Sequence, residues 1–137
     1  IVAARCALPV VTDPRLQEVN VGSWSGHRIE EIGAAVPDFW PALREGRDFR
    51  RSPEGETATE AGQRVALALL DHAEAAADGE VLLAVGHGLS LRVGALLLMG
   101  LDYSCARLFR GLDNCHWVVL EPGGVYWRLR TYNAGVA

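Results

Sequence analysis

The residue in this sequence best placed to do chemistry is His87, in the run VLLAVGHGLSLR from Val81 to Arg92. Its imidazole lies between Gly86 and Gly88, where a short apolar run gives way to a helical pattern. Glycine lets backbone approach a ligand closely, and the first turn of a helix offers unpaired N–H groups at the positive end of its dipole. That combination suits an oxyanion such as phosphate, with an imidazolium as a further charged donor. The residues alone leave a second reading open: a structural histidine whose ring nitrogens bond neighbouring carbonyls, with the glycines serving only the turn. The other histidines read as structural or solvated: His27 begins a polar helix, His72 lies in an exposed helical pattern, and His116 enters a strand beside Trp117.

Two further groups carry chemistry. Glu18 falls in RLQEVNVGSWSG, whose Gly and Ser breaks mark an irregular connection, and a loop carboxylate is free to reach a site. By itself it reads equally as a surface acid paired with Arg15 or Arg28. Arg44, Arg47, Arg50 and Arg51 crowd the stretch 36–53, where guanidinium forks would suit a substrate carboxylate or a second phosphate. The alternative is a solvated face balanced by Glu45, Asp48 and Glu54. Trp24, Phe39 and Trp40 could line an entrance or simply pack.

Positioning such groups requires a frame. Residues 1–6 read as the end of a helix, and ALPVVTDP as a short β-prone run closed by Asp13 and Pro14. A short helix is predicted near Ile29–Ala35, then a mobile helical excursion over Val36–Pro53. A longer helix capped by Thr57 or Thr59 runs to about Ala77, stopped by Asp78 and Gly79. The run Val81–Val85 suits a strand buried on both faces of a parallel sheet, followed by a helix ending at Gly100. CHWVVLEP and GVYWRLRTY, separated by Pro122, Gly123 and Gly124, predict an antiparallel hairpin. The expected class is a single α/β layered domain over residues 1–137.

Composition narrows the partners. Half the residues are hydrophobic, 22% are charged and the formal net charge is −4, so the whole surface presents no field for nucleic acid or an anionic membrane. No apolar run approaches the roughly 18 to 20 residues of a membrane span. Cys6, Cys105 and Cys115 are odd in number and lack CxxC spacing, which indicates neither a disulfide framework nor a zinc site. Reduced thiols and a cytoplasmic setting are the plain expectation.

Taken in order, DPRLQEVNVGSWSG, PEGETATEAGQRV and VLLAVGHGLSLR resemble three blocks of the histidine phosphatase superfamily, in its phosphoglycerate-mutase-like branch. The terminal GLDNCHWVVLE and WRLRTYN look like the end of small phosphatases in that branch. The resemblance implies a three-layer α/β/α sandwich with a mostly parallel sheet and a site at the strand C-termini. It implies a phosphohistidine intermediate, no cofactor and no metal. His87 matches the second site histidine, which donates to phosphate oxygens, and Glu18 matches the general acid that protonates the departing alkoxide. Backbone at Gly88 and Leu89 would complete the phosphate nest.

The nucleophilic histidine of the family belongs to an R-H-G motif, and R-H-G does not occur in these 137 residues. The chain therefore resembles the C-terminal two thirds of a family member. Its first central strand would be missing, and the edges left bare would invite association with another chain, including a second copy. The expected function is a phosphomonoesterase of a small phosphorylated metabolite in the complete protein, with residues 1–137 inactive alone. A mutase and a catalytically dead phosphate-binding module are the alternatives.

Overall fold

Thr57 opens the longest element. Its hydroxyl accepts from the Glu60 amide at 3.1 Å while the Glu60 carboxylate accepts from the Thr57 amide at 2.9 Å, a reciprocal cap that starts helix α4 at Ala58. Asp48 adds a second cap, taking the Ala58 and Thr59 amides at 2.8 and 2.9 Å. In this computed structural model, which describes residues 1–136, the helices are α1 (Val2–Arg5), α2 (Ile29–Ala35), α3 (Phe39–Glu45), α4 (Ala58–Glu74) and α5 (Gly88–Leu98). Three short 3₁₀ turns lie at Pro14–Leu16, Gly22–Trp24 and Tyr103–Leu108, and strands β1 (Trp117–Pro122) and β2 (Trp127–Ala134) close the chain.

The core is the contact between α4 and α5. Ala58, Ala61, Val65 and Ala68 face Val93, Ala95, Leu96 and Leu98, all buried. The helices approach closely because each sets a glycine under the other's valine: a Cβ on Gly62 would overlap Val93, and one on Gly94 would overlap Val65. Outside this pair, Phe39 meets Trp24, Trp40 and Phe49 edge to face with centroids 5.0–5.8 Å apart, and Trp24 lies tilted to Phe49 at 6.5 Å, so these aromatics pack. Helix α3 ends where Gly46 takes a left-handed φ of 67°.

Several expectations hold. Helix α2 has the predicted bounds, the excursion is helical at α3, and β1 pairs antiparallel with β2 from Trp117↔Ala134 to Pro122↔Trp127 with two irregularities in register. Others need correction. Helix α4 stops at Glu74 rather than about Ala77. The run Val81–Val85 is extended but forms no strand, and Leu8–Asp13 likewise. A strand exists only through its ladder, and among the described residues neither run has a neighbour to pair with. The sole sheet among them is the antiparallel hairpin, so a parallel sheet is not formed. Val81 and Val85 are 93% and 78% exposed, the reverse of the burial their pattern predicts. Among the described residues no helix is long and apolar enough to cross a membrane.

Candidate active site

Glu18 reaches the start of α5. Its carboxylate accepts from the Ser90 amide at 2.9 Å and the Leu89 amide at 3.2 Å, and from its own neighbour Val19 at 2.9 Å. Both α5 amides belong to the unpaired first turn, where a negative charge is favoured. His87 caps that same helix with extended backbone (φ −115°, ψ 154°), two residues before the amide that Glu18 holds. Its side chain is exposed and has no hydrogen-bond partner among the described residues. A histidine bonded to nearby carbonyls is therefore excluded, as is a Glu18 paired with Arg15 or Arg28, since Arg15 pairs with Asp13 and Asp71 and Arg28 with Glu30.

The two glycines are not equivalent. A Cβ on Gly86 would stand 3.0 Å from the Leu16 carbonyl oxygen and 3.2 Å from Leu91 Cγ, so a side chain there would require both neighbours to give by a few tenths of an ångström. At Gly88 the nearest atom is an ordinary 3.6 Å away. The Leu89 amide, expected to face phosphate, is engaged by Glu18. A carboxylate, itself an oxyanion, sits on the donors the sequence reserves for one.

Arg64, on α4, holds the acid's backbone. Its Nη1 donates to the Arg15 and Gln17 carbonyls, both at 2.7 Å, and its Nη2 to the Glu18 carbonyl at 2.8 Å. Its Nε and Nη2 also grip Glu56 at 2.8 Å, and Glu56 in turn accepts from the Asn20 amide at 2.8 Å. The Arg64 hydrogen bonds hold the Glu56 carboxyl below its ordinary 4.5, against the opposing effect of burial. Sequence reading missed Arg64, because an arginine in the polar stripe of a helix carries no sign that loop carbonyls converge on it. His72 takes the structural one of its two expected roles: it is half-buried, with Nε2 3.0 Å from Asp13 Oδ2. With Arg15 it ties the run ending at Asp13 to α4, and the Arg15 hydrogen bonds hold the Asp13 carboxyl far below the usual carboxylate range.

Of the four excursion arginines, Arg51 lines a cleft with Arg92 and Arg107. Arg47 pairs with Asp38 and Glu45, Arg50 with Glu60 and the Gly55 carbonyl, and Arg44 is exposed. The three cysteines are unpaired, and among the described residues no His, Cys, Asp and Glu cluster is arranged to hold a metal.

An α/β chain that sets a free histidine and a carboxylate at one helix start fits a class of phosphate-handling enzymes. The family model of the histidine phosphatase superfamily (branch 1) matches residues 1–135, and the chain belongs to that superfamily. It is 36% identical over 115 residues to the probable phosphoglycerate mutase GpmB of Yersinia pestis strain Pestoides F, covering 84% of this chain and 53% of that protein. The chain thus spans about half the length of the curated relatives it matches. Among solved structures it is similar to a mycobacterial glucosyl-3-phosphoglycerate phosphatase in complex with inorganic phosphate, at 26% identity and TM-score 0.79, covering 97% of this chain and 69% of that one. The alpha-ribazole phosphatase from Shigella flexneri shares the fold at 21% identity and TM-score 0.76, with 99% and 67% covered.

Proposed function

We propose that the complete protein is a phosphomonoesterase acting on a small phosphorylated metabolite through a phosphohistidine, with no metal or cofactor and in a reducing cytoplasm. The observation that carries this reading is the Glu18 carboxylate held on the Leu89 and Ser90 amides beside an unpartnered His87. In the proposed reaction a histidine of an R-H-G motif, outside the 137 residues, forms an N–P bond as the ester P–O bond breaks. Glu18 gives its proton to the departing alkoxide, then takes one from the water that attacks phosphorus and releases phosphate. His87 and the backbone at Gly88 hold the non-bridging oxygens, the role in which fixed donors stabilise phosphoryl transfer, while the Leu89 amide stays with Glu18. In that protein the runs 8–13 and 81–87 become strands of a parallel sheet between helical layers.

The test is acid-labile phosphoenzyme trapping in the complete gene product, with p-nitrophenyl phosphate turnover measured beside it. A trapped phosphohistidine, turnover, and a His87→Ala variant slowed by orders of magnitude are expected. Residues 1–137 alone should show negligible turnover, and equal rates for both would overturn the reading. The mutase reading is favoured by the name of the Yersinia relative. The excursion at 36–53 is short for closing over a phosphoenzyme, which favours transfer to water. Interconversion of phosphoglycerates faster than phosphate release would reverse that order, and a complete protein without phosphoenzyme would be a binding module.

A further inference from the structure

We infer that Asn133, near the end of β2, is a positioning residue for the phosphate site, because its side chain holds the loop 110–116 against Gly88, beside His87. The inference rests on the phosphatase reading and adds a residue that acts on that site through the loop. Asn133 clasps Asp113 reciprocally: its Oδ1 accepts from the Asp113 amide and its Nδ2 donates to Asp113 Oδ2, both at 2.9 Å. Its neighbour Tyr132 donates its hydroxyl to the Arg110 carbonyl, and the Tyr132 and Phe109 rings lie 5.3 Å apart, centroid to centroid. The His116 amide closes the loop on itself by donating to the Asp113 carbonyl at 3.2 Å. Between these ties, the Leu112 carbonyl oxygen stands 3.6 Å from the position of a Cβ on Gly88.

The strand is bent where the clasp forms. Trp117 pairs with Ala134 and Val119 with Thr131, so β2 carries one residue more than β1 across that interval, which is a bulge. Asn133 lies in it with a left-handed φ of 51°, a conformation that asparagine tolerates better than most residues. A bulge re-aims the side chain it carries, and here that side chain meets the loop. Cys115, within the loop, is left-handed as well at φ 60°, so two of the three such non-glycine residues among the described ones sit at this junction. Strained backbone persists where its surroundings over-determine it, and it gathers at sites that must hold a geometry. The loop borders the phosphate position at Gly88, so slack in the loop becomes slack in the reacting group. A misplacement of about 1 Å can cost about 100-fold in rate.

The experiment separates the tether from the backbone in the complete protein, with p-nitrophenyl phosphate as substrate and vanadate as inhibitor. Asn133→Gly keeps the left-handed conformation and removes the side chain. Its thermal midpoint should stay within about 5 °C of the parent, while kcat/KM falls about tenfold and vanadate inhibits about tenfold more weakly. Asn133→Asp sets a carboxylate against Asp113 and should lose at least as much. Adding Asp113→Asn restores a donor–acceptor pair and should return kcat/KM to within about threefold of the parent. Arg130→Ala, at an exposed position of the same strand, should leave these readings unchanged. Rates and vanadate inhibition within about twofold of the parent in Asn133→Gly would overturn the inference, as would a double variant no faster than Asn133→Asp alone. Should Asn133→Gly fail to fold, Asp113→Ala in the exposed loop removes one of the two bonds: a loss of about threefold or more supports the clasp, and an unchanged rate sinks it. If the complete protein turns over no phosphomonoester, the phosphatase reading fails on its own. Calorimetric binding of vanadate then decides the clasp, since weaker binding by Asn133→Gly supports it and equal binding, or none by either protein, overturns it.

Discussion

The acid of this site is held through its backbone as much as through its carboxylate. Arg64 bridges the carbonyls of Arg15, Gln17 and Glu18 and the Glu56 carboxylate, so it acts as a positioning residue for Glu18. Arg64→Met in the complete protein should lower kcat about 10- to 100-fold with little change in KM, and lysine should not rescue it, because one ammonium cannot span those acceptors. Steady-state kinetics on p-nitrophenyl phosphate read that split. Glu18→Gln removes the transferable proton while keeping an acceptor for the Leu89 and Ser90 amides. Loss should be about 10² or more for alkyl phosphates and markedly smaller for p-nitrophenyl phosphate, whose leaving group needs no proton. Equal losses would remove Glu18 from the acid role. At this scale much was legible: a histidine between glycines at a helix start and a carboxylate in a broken loop point to their partners by type. The burial of Arg92 was not legible, since one arginine in LSLRVGALLL reads as the helix's wet face, yet its Nε is sealed from solvent.

The start of α4 was readable because a cap is local chemistry, with Thr57 offered from its place before the helical pattern, whereas its end at Glu74 came earlier than the breakers Asp78 and Gly79 suggest. The run Val81–Val85 was not, because its pattern describes what it would bury and not whether a neighbour stands alongside. The α4–α5 contact depends on glycine in a way no periodicity reveals. Gly62→Val and Gly94→Val should each destabilise by about 1–3 kcal/mol through overlap with the opposing valine, measured by denaturant unfolding. A loss near zero would mean that the helices part more readily than their packing implies. Asp48→Ala, which strips a cap from α4, should cost about 1 kcal/mol in the same assay.

Across the whole molecule, acid stability should trace to carboxyls held below their ordinary values. Glu56, lowered chiefly by Arg64, stabilises the fold fully above about 4.5, and that contribution is lost as pH falls through its folded value. Thermal midpoints should therefore drop as pH falls below about 4.5, and Glu56→Gln should flatten that slope. Exposed Val10, Val11, Val81 and Val85 predict that residues 1–137 bind an apolar dye and scatter light increasingly with concentration, and Val81→Lys with Val85→Lys should reduce both. The glycine-to-valine lock between α4 and α5 has a wider consequence. Arg64 rides on one helix and His87 leads the other, so the spacing of the reacting groups is inherited from a rigid joint. The excursion at 39–51 and the turn at 103–109 lie outside that joint. Contacts made by those two outlying segments can therefore change without altering the distance between Arg64 and the start of α5.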